Sequence, residues 1–248
     1  MQALILAAGM GSRLGTLTVE SAKCMLRFHG QRLIERLLVD LAGLGLSRAV
    51  LVVGHGADEL RATVGDSCAG MPCVYVENPS YRSSNNIYSL ALAAPQLCAD
   101  DTLLIESDLV LHPAILRACA AESAPAAAVV APYAPWMDGT VTLLDDAGWI
   151  SRFVPRAEQG GLDLRQTYKT VNLYKLAQAF SAACLVPAIH THLAEVGAHL
   201  YYEEVFGRLV AAGQARMRAV PTGALPWYEI DTPADLRAAE ALFAPGAM

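Results

Sequence analysis

The sequence has few charged residues, more acidic than basic side chains, and no long uninterrupted hydrophobic run. Charged residues make up 17% of the 248 positions, and the formal net charge is −6. No window contains the roughly 18 consecutive apolar residues that a membrane helix needs. The nearest, residues 118–131, is interrupted by Glu122, Ser123 and Pro125. A groove that binds nucleic acid needs a basic surface, and a protein with a net negative charge is not expected to have one. We therefore expect neither a membrane nor a nucleic acid as a partner.

The sequence also lacks closely spaced cysteine pairs, and it contains few lysines. The six cysteines include no CxxC pair, which disfavours a zinc site, and no basic segment precedes the first apolar run. We therefore expect reduced thiols in a cytoplasmic protein. Lys23 could lower the pKa of the neighbouring Cys24, although a packing role for this thiol is favoured. Besides Lys23, the sequence has only Lys169 and Lys175, so each lysine is expected to be present for its ammonium group.

The sequence is rich in apolar residues, at 54% of positions, which is enough for the core of one large domain. Short β-branched runs alternate with helical patterns, as is typical of a parallel sheet with right-handed crossovers. Strands are predicted at residues 3–6, 48–53, 74–76, 101–108, 126–130, 168–175 and 216–220. Helices are predicted at residues 31–44, 57–64, 87–94, 176–184, 188–196 and 201–211, and others begin at His112-Pro113 and Thr232-Pro233.

A hairpin and a polar segment are expected to interrupt this pattern. Residues 140–144 and 149–153 flank a turn rich in Asp and Gly, which predicts a β-hairpin. The polar residues 156–166 that follow are interpreted as a mobile lid. We predict one Rossmann-like α/β domain over residues 1–248. Its mostly parallel mixed sheet would be flanked by helices, with a small β-hairpin or lid insertion at residues 132–167.

The first predicted strand leads into a glycine-punctuated loop with two cations. Gly9 and Gly11 would let the backbone approach a ligand, so that its N–H groups can point at phosphate oxygens. Arg13 offers a forked, always charged donor, and Lys23 a compact second cation. Neither common glycine motif fits, because the Gly-Lys-Ser/Thr of a P-loop and the third glycine of a dinucleotide fingerprint are missing. The alternative is an ordinary turn with a surface arginine.

This stretch resembles the signature loop, GxGxRLxPLTxxxPK, of the nucleotidyltransferases that make activated sugars and activated alcohols. It departs from that pattern at Gly15-Thr16 and at Ala22. The segment Asn85 to Leu90 resembles the cytidylyltransferase branch, which handles phosphocholine and small phosphonates. The positions that match the loop are Gly9, Gly11, Arg13, Leu14, Leu17, Thr18 and Lys23. The resemblance implies a nucleotide site made of Leu6, Ala7, Ala8, Gly9, Gly11, Ser12, Arg13, Lys23, Asn78, Ser84 and Asn85.

The resemblance also implies a magnesium site and a site for the second substrate. Asp108 is at the position where the family holds magnesium, which suits a hard cation beside phosphates, although such an aspartate is often only a helix cap. Asp231, together with Glu229, resembles the second metal element and would complete the site. The implied substrate-binding residues are Asn86, Tyr88, Trp136, Lys169, Asn172, Tyr202 and Glu203.

Several of these residues also have simpler explanations. Lys169 would then be a lysine at an exposed strand end, Trp136 would only pack the insertion, and Glu203 would belong to a solvated helix start. An aromatic box of Tyr88, Trp136 and Tyr202 would suit choline. Lys169 and Asn172 instead favour a phosphonate. Ser84 or Asn85 is expected to cap the helix that follows.

The implied reaction is magnesium-dependent transfer of CMP from CTP, with release of pyrophosphate. The acceptor would be 2-aminoethylphosphonate, 2-hydroxyethylphosphonate or phosphocholine. Arg13, Lys23 and Lys169 are the expected catalytic residues, because two polyanions must be brought together. The acceptor is already anionic near neutral pH, so no general base is expected. A sugar-1-phosphate nucleotidylyltransferase and a non-catalytic nucleotide-sensing domain are the alternatives, and a homo-oligomer is possible.

Overall fold

Apolar runs along the chain form the strands of one large sheet, and amphipathic segments cover it. The computed structural model describes residues 1–18 and 21–244. The strands are β1 Gln2–Ala7, β2 Arg27–Phe28, β3 Gln31–Arg32, β4 Ala49–Val53, β5 Ser67–Cys68, β6 Met71–Glu77, β7 Thr102–Glu106, β8 Leu109–Leu111, β9 Ala126–Pro132, β10 Val141–Leu144, β11 Ile150–Val154, β12 Tyr168–Leu176, β13 Arg218–Pro221 and β14 Trp227–Glu229. The helices are α1 Leu33–Ala42, α2 Ala57–Val64, α3 Asn86–Leu92, α4 Ala94–Leu97, α5 Pro113–Ala121, α6 Gln178–Val196, α7 Tyr202–Ala211 and α8 Pro233–Leu242.

The main sheet is mixed, with a parallel centre. Its order is β11-β10-β12-β7-β1-β4-β6-β5, and β9 pairs with both β12 and β13. The central strands β7, β1, β4 and β6 are parallel, with Leu4 opposite Val50 on one side and Leu104 on the other. Strand β12 pairs antiparallel with β7 and β9, whereas β13 pairs parallel with β9. The predicted Rossmann-like α/β fold is confirmed.

Successive residues of β1 enter two different cores, because side chains alternate across a strand. Ile5 packs in one core with side chains of α1, α2 and α5. Leu4 packs in the other with side chains of α3, α6 and α7. Every residue of β1 is buried, which explains why residues 3–7 form an unbroken apolar run rather than an alternating pattern.

The predicted hairpin is present, and the polar segment after it forms two short 3₁₀ turns. Strands β10 and β11 pair antiparallel, with Thr142 opposite Phe153. The turns are Arg156–Glu158 and Leu164–Gln166. The side-chain amide of Gln159 donates to the carbonyls of Gly139 at 2.8 Å and Val154 at 3.1 Å, which fastens the segment to the hairpin. Mobility of this segment, and the insertion boundaries at residues 132–167, stay predictions.

Helix α6 replaces the two separate helices predicted there. A π-helical turn at Ser181–Leu185 carries the helix past Pro187, which has no N–H to donate. Among the described residues, α6 is the one helix long and apolar enough to cross a membrane by length and composition, with a mean hydropathy of 1.2. That is weak evidence for a span, because core helices can pass the same test. Leu185 and Ile189 of α6 are fully buried in the second core.

A third, smaller core fastens the end of the described chain to the glycine loop. Leu14 and Leu26 pack there with Ile230 and Phe243. Helix α8 begins with a capping box in which Thr232 and Asp235 satisfy each other's backbone N–H groups, and this confirms the predicted start. The packing of Ile230 therefore places the neighbouring residue Asp231 next to the glycine loop.

Candidate active site

A close approach within the glycine loop brings Lys23 to the end of β1. Gly11 has a φ of +59°, and a Cβ there would be 3.2 Å from Cβ of Lys23 and 3.3 Å from Cγ2 of Thr18. Only glycine fits this turn without strain. The Thr18 hydroxyl donates to the Gly11 carbonyl at 2.9 Å and closes the loop. Lys23 is therefore held against the backbone of the loop.

Two acids that are far apart in sequence are brought together by a short antiparallel pair. Glu229 of β14 lies opposite Leu109 of β8. The N–H of Ile230 donates to the carbonyl of Asp108 at 3.0 Å. Asp108, two residues after the central strand β7, therefore lies beside Asp231. This strand pairing brings together two acids, Asp108 and Asp231, that were expected to share one magnesium site.

Lys23 lies between these two carboxylates. Its Nζ is 2.5 Å from Oδ2 of Asp108 and 2.7 Å from Oδ1 of Asp231, and its side chain is only 12% exposed. Nη2 of Arg13 is 2.7 Å from the same oxygen of Asp231. Burial alone would lower the pKa of Lys23, but the two carboxylates outweigh it and raise the pKa above its ordinary value. The ammonium group therefore stays charged.

Three carboxylates at this point fit a hard divalent cation. Asp108, Glu229 and Asp231 each offer an oxygen within 4.8 Å of the others. Oδ1 of Asp108 is buried, and the described part of the chain gives it no hydrogen-bond partner. Carboxylate oxygens are the ligands that Mg²⁺ prefers. The explanation of Asp108 as a mere helix cap is wrong, because His112 caps α5.

Lys169 and Asn172 of β12 converge on Glu229. The Lys169 side chain is 2% exposed, so its explanation as an exposed strand end is wrong, and its Nζ is 3.6 Å from Oε2 of Glu229. Asn172 has a φ of +57° where the β12 register shifts, and its amide donates to Oε1 of Glu229 at 3.1 Å. A bulge of this kind redirects a side chain. Burial, reinforced by Asp108 and Asp231, raises the pKa of Glu229 to about 7.

Comparison with known proteins identifies the family of this chain. The model of the MobA-like NTP transferase domain matches residues 3–220. The chain belongs to this family. It is 36% identical over 247 residues to the CMP-5'-(3-aminopropyl)phosphonate synthase of Streptomyces rubellomurinus, which covers 99% of this chain but only 39% of that protein's length. It is 28% identical over 243 residues to the 2-aminoethylphosphonate cytidylyltransferase of Lancefieldella rimae, covering 95% of this chain and 90% of that protein.

A solved structure shows the same fold. The CTP:phosphocholine cytidylyltransferase of Streptococcus pneumoniae superposes with a TM-score of 0.76 at 19% identity, covering 97% of this chain and 98% of that one. The family match over residues 3–220 and the relatives aligned over nearly the whole chain confirm the predicted resemblance to nucleotidyltransferases.

Most residues predicted for the site of this NTP transferase domain line one cleft of about 910 Å³. The cleft lies at the carboxyl ends of the central parallel strands, where α/β sheets bind ligands. The predicted residues in its lining are Leu6, Ala8, Gly9, Gly11, Ser12, Arg13, Lys23, Asn78, Ser84, Asn85, Asn86, Asp108, Lys169, Asn172, Glu203, Glu229 and Asp231.

Four predicted residues are absent from that lining, namely Ala7, Tyr88, Trp136 and Tyr202. Ala7 is 3% exposed and belongs to the first core. Trp136 stacks on Tyr228 with ring centroids 4.3 Å apart, which agrees with the packing explanation. Tyr202 is 1% exposed and meets Tyr174 edge-on at 5.7 Å. None of the three rings of the predicted aromatic box for choline lines the cleft, so the box does not form there. Trp136, 44% exposed, stacks on Tyr228, and Tyr202 is buried against Tyr174.

The polar wall of the cleft is held by its own hydrogen bonds. Asn85 caps α3 by accepting from the N–H of Asn86 at 2.8 Å, which confirms one of the two predicted caps. The amide of Asn78 donates to the hydroxyls of Ser84 at 3.2 Å and Ser89 at 3.0 Å. These contacts fix the shape of the wall. Recognition of the base by these side chains stays a prediction.

Sequence reasoning missed several residues of the lining. Glu106 carried a usable signal, since it ends a central strand two residues before Asp108. It accepts from the amide of Asn86 at 3.0 Å, and burial followed by the charge of Asp108 raises the pKa of Glu106 to about 8. The residues just before and just after the hairpin had no sequence pattern that would have pointed to the site. The lining residues missed are Tyr81, Ser89, Glu106, Asp138, Gly139, Thr140, Pro155, Arg156, Ala157 and Tyr201.

Cys24 is a packing residue rather than a reactive thiol. It is fully buried in the first core. Burial is the main reason that the pKa of Cys24 rises to about 12, so the adjacent Lys23 does not activate it. The favoured packing role for this residue fits the structure.

Proposed function

We propose that this domain transfers CMP from CTP to a small phosphonate or phosphate monoester and releases pyrophosphate. The observation that carries the proposal is the convergence of Lys23 and Arg13 on Asp108 and Asp231 beside the glycine loop. Fixed cations and metal-binding acids are what a reaction between two polyanions needs. Two relatives aligned over nearly the whole chain are named for CMP-phosphonate synthesis and phosphonate cytidylyl transfer. These names support CTP and an aminoalkylphosphonate as substrates.

The donor nucleotide would lie along the glycine loop. Backbone N–H groups from Gly9 to Ser12, with Arg13, would bind its phosphates, and Asn78, Ser84 and Asn85 would face its base. Lys23 is already charged and nearly buried, so it would stabilise the negative charge that develops in the transition state without reorganising.

Asp108, Glu229 and Asp231 would hold Mg²⁺. When bound, the metal would neutralise phosphate charge and act as a Lewis acid. The unpartnered Oδ1 of Asp108 supports this assignment from the structure itself.

The acceptor would approach from the side of β12. Lys169 and Asn172 would bind its anionic group, and the acceptor oxygen would form a bond to the α-phosphorus as the bond to pyrophosphate breaks. Glu203 is 8% exposed, accepts from the Tyr174 hydroxyl at 2.5 Å, and pairs with no basic side chain in the described part of the chain. The ammonium group of an aminoalkylphosphonate would supply the missing positive charge.

The experiment is a substrate panel read by pyrophosphate release. CTP is paired with 2-aminoethylphosphonate, 2-hydroxyethylphosphonate or phosphocholine, and UTP or dTTP with glucose 1-phosphate. Turnover confined to CTP with a phosphonate or phosphocholine supports the proposal. Turnover with glucose 1-phosphate would favour a sugar nucleotidylyltransferase, and CTP binding with no turnover would favour a nucleotide sensor.

A further inference from the structure

One carboxylate outside the metal site contacts two arginines of the cleft. Asp138, in the connection between β9 and β10, accepts a hydrogen bond from Nη1 of Arg156. Its other oxygen is 3.7 Å from Nη1 of Arg13. Arg13 belongs to the glycine loop and Arg156 to the segment after the hairpin. Asp138 therefore joins two walls of the cleft.

A third cation lies against the same turn. A Cβ built on Gly139 would be 3.5 Å from Nζ of Lys169. The carbonyl of Gly139 also accepts from the amide of Gln159, three residues after Arg156. Arg13, Arg156 and Lys169 thus approach the turn at Asp138-Gly139 from three different elements.

The contacts of Asp138 are easily exchanged. The side chains of Arg13, Asp138 and Arg156 are 59%, 47% and 70% exposed, respectively. Ion pairs with this exposure contribute little to stability. A phosphonate group offers more charge than one carboxylate and three acceptor oxygens, which guanidinium groups bind in a forked geometry. Such a group can displace Asp138 from Arg156.

We propose that Asp138 occupies, in the free protein, the place of the acceptor's phosphonate group, and that Arg156 binds this group when Asp138 gives way. The inference rests on the proposed function, because it assumes that the cleft receives a phosphonate or phosphate monoester. The acceptor is favoured over the nucleotide since the turn contacts Lys169, the residue proposed to bind the acceptor. Arg156 is then a residue that determines acceptor affinity.

The test compares Arg156→Ala with a nearby arginine on β11, Arg152, as the matched control. Arg152 is 55% exposed and pairs with Glu158 at 3.5 Å, but it does not line the cleft. Arg156→Ala should raise the KM for 2-aminoethylphosphonate roughly tenfold or more, as loss of a charge-assisted contact does. Arg156→Lys should recover part of this loss. Arg152→Ala should leave the KM unchanged, and the Kd for CTP, measured by calorimetry, should be the same in all three variants.

The reciprocal variant is Asp138→Asn, which removes the competing charge while keeping the shape of the side chain. It should lower the KM for the acceptor about twofold to fivefold. An unchanged acceptor KM in Arg156→Ala, or a loss confined to CTP affinity, would overturn the inference. If the unmodified protein turns over no acceptor, the proposed function fails. The Kd of 2-aminoethylphosphonate for the unmodified protein and for Arg156→Ala then decides the inference.

Discussion

Replacing Lys23 by methionine tests whether one ammonium group balances the two acids of the site. The group is 2.5 Å from Asp108 and 2.7 Å from Asp231, and it is only 12% exposed. Breaking a buried ion pair costs about 3–5 kcal/mol, because the remaining charge is left uncompensated. Arg13 still contacts Asp231, so we expect the lower end, about 3 kcal/mol. In a chain of this length that loss lowers the Tm by about 6–12 °C.

Turnover and metal response should change together in this variant. The kcat should fall roughly 10²-fold or more, as it does when an electrostatic partner of the transition state is removed. Mg²⁺ should recover part of the lost Tm, since a divalent cation bound to the folded state replaces the missing positive charge. The assays are pyrophosphate release with CTP and 2-aminoethylphosphonate, and thermal unfolding in EDTA and in Mg²⁺.

Lys175→Met is the matched control for losing a buried ammonium group. Lys175 is 7% exposed, donates to the carbonyl of Ala124 at 2.8 Å, and does not line the cleft. This control should lose stability without recovering it in Mg²⁺, and its kcat should stay unchanged. A Lys23→Met protein with near-normal kcat and Tm would refute the electrostatic role of Lys23.

Three further predictions concern the metal, the pH dependence and the buried thiol. Asp108→Ala should abolish turnover together with the rise in Tm that Mg²⁺ produces, and activity that still responds to Mg²⁺ would remove Asp108 from the metal site. In the metal-free protein, the pKa of Glu106 is raised from 4.5 to about 8, so the folded state keeps a proton that the unfolded state releases. Stability should therefore fall as the pH rises from about 4.5 through about 8. Glu106→Gln should flatten the fall in Tm between about pH 5 and about pH 8, and an unchanged slope would contradict the assignment. Cys24 should react with iodoacetamide only after unfolding, as read by peptide mass spectrometry; labelling of Cys24 in the native protein would show that it is accessible.

Local patterns were sufficient to predict the elements that begin the site. The apolar run of β1, the glycines after it and the acid after β7 all follow rules of spacing, and the carboxyl ends of parallel strands meet at one edge. These rules place the loop and Asp108 at one edge of the sheet, and the family resemblance then assigned the metal to Asp108. Asp231 could be added only through its resemblance to a family motif, because the β8–β14 pairing that positions it has no local signal.

The substrate-binding predictions that do not fit the structure concern side chains that could pack against several different neighbours. Trp136 and Tyr202 are aromatic residues near the site in sequence, yet one stacks on Tyr228 and the other packs into the second core. Asp138 and Arg156 were overlooked because they lie in irregular connections, which follow no hydrophobic period. Which groups such residues contact depends on the surfaces that the rest of the chain presents.

By itself, the sequence determined the main alternation of strands and helices, the glycine loop and the types of charge that the site carries, because these depend on residues close together along the chain. The tertiary structure alone decided which acid faces which cation. Lys23 meets Asp108 and Asp231 because a short strand pair and a third core, both built from distant segments, hold them together. Hydrogen bonding and packing between distant segments satisfy groups that no local pattern can pair.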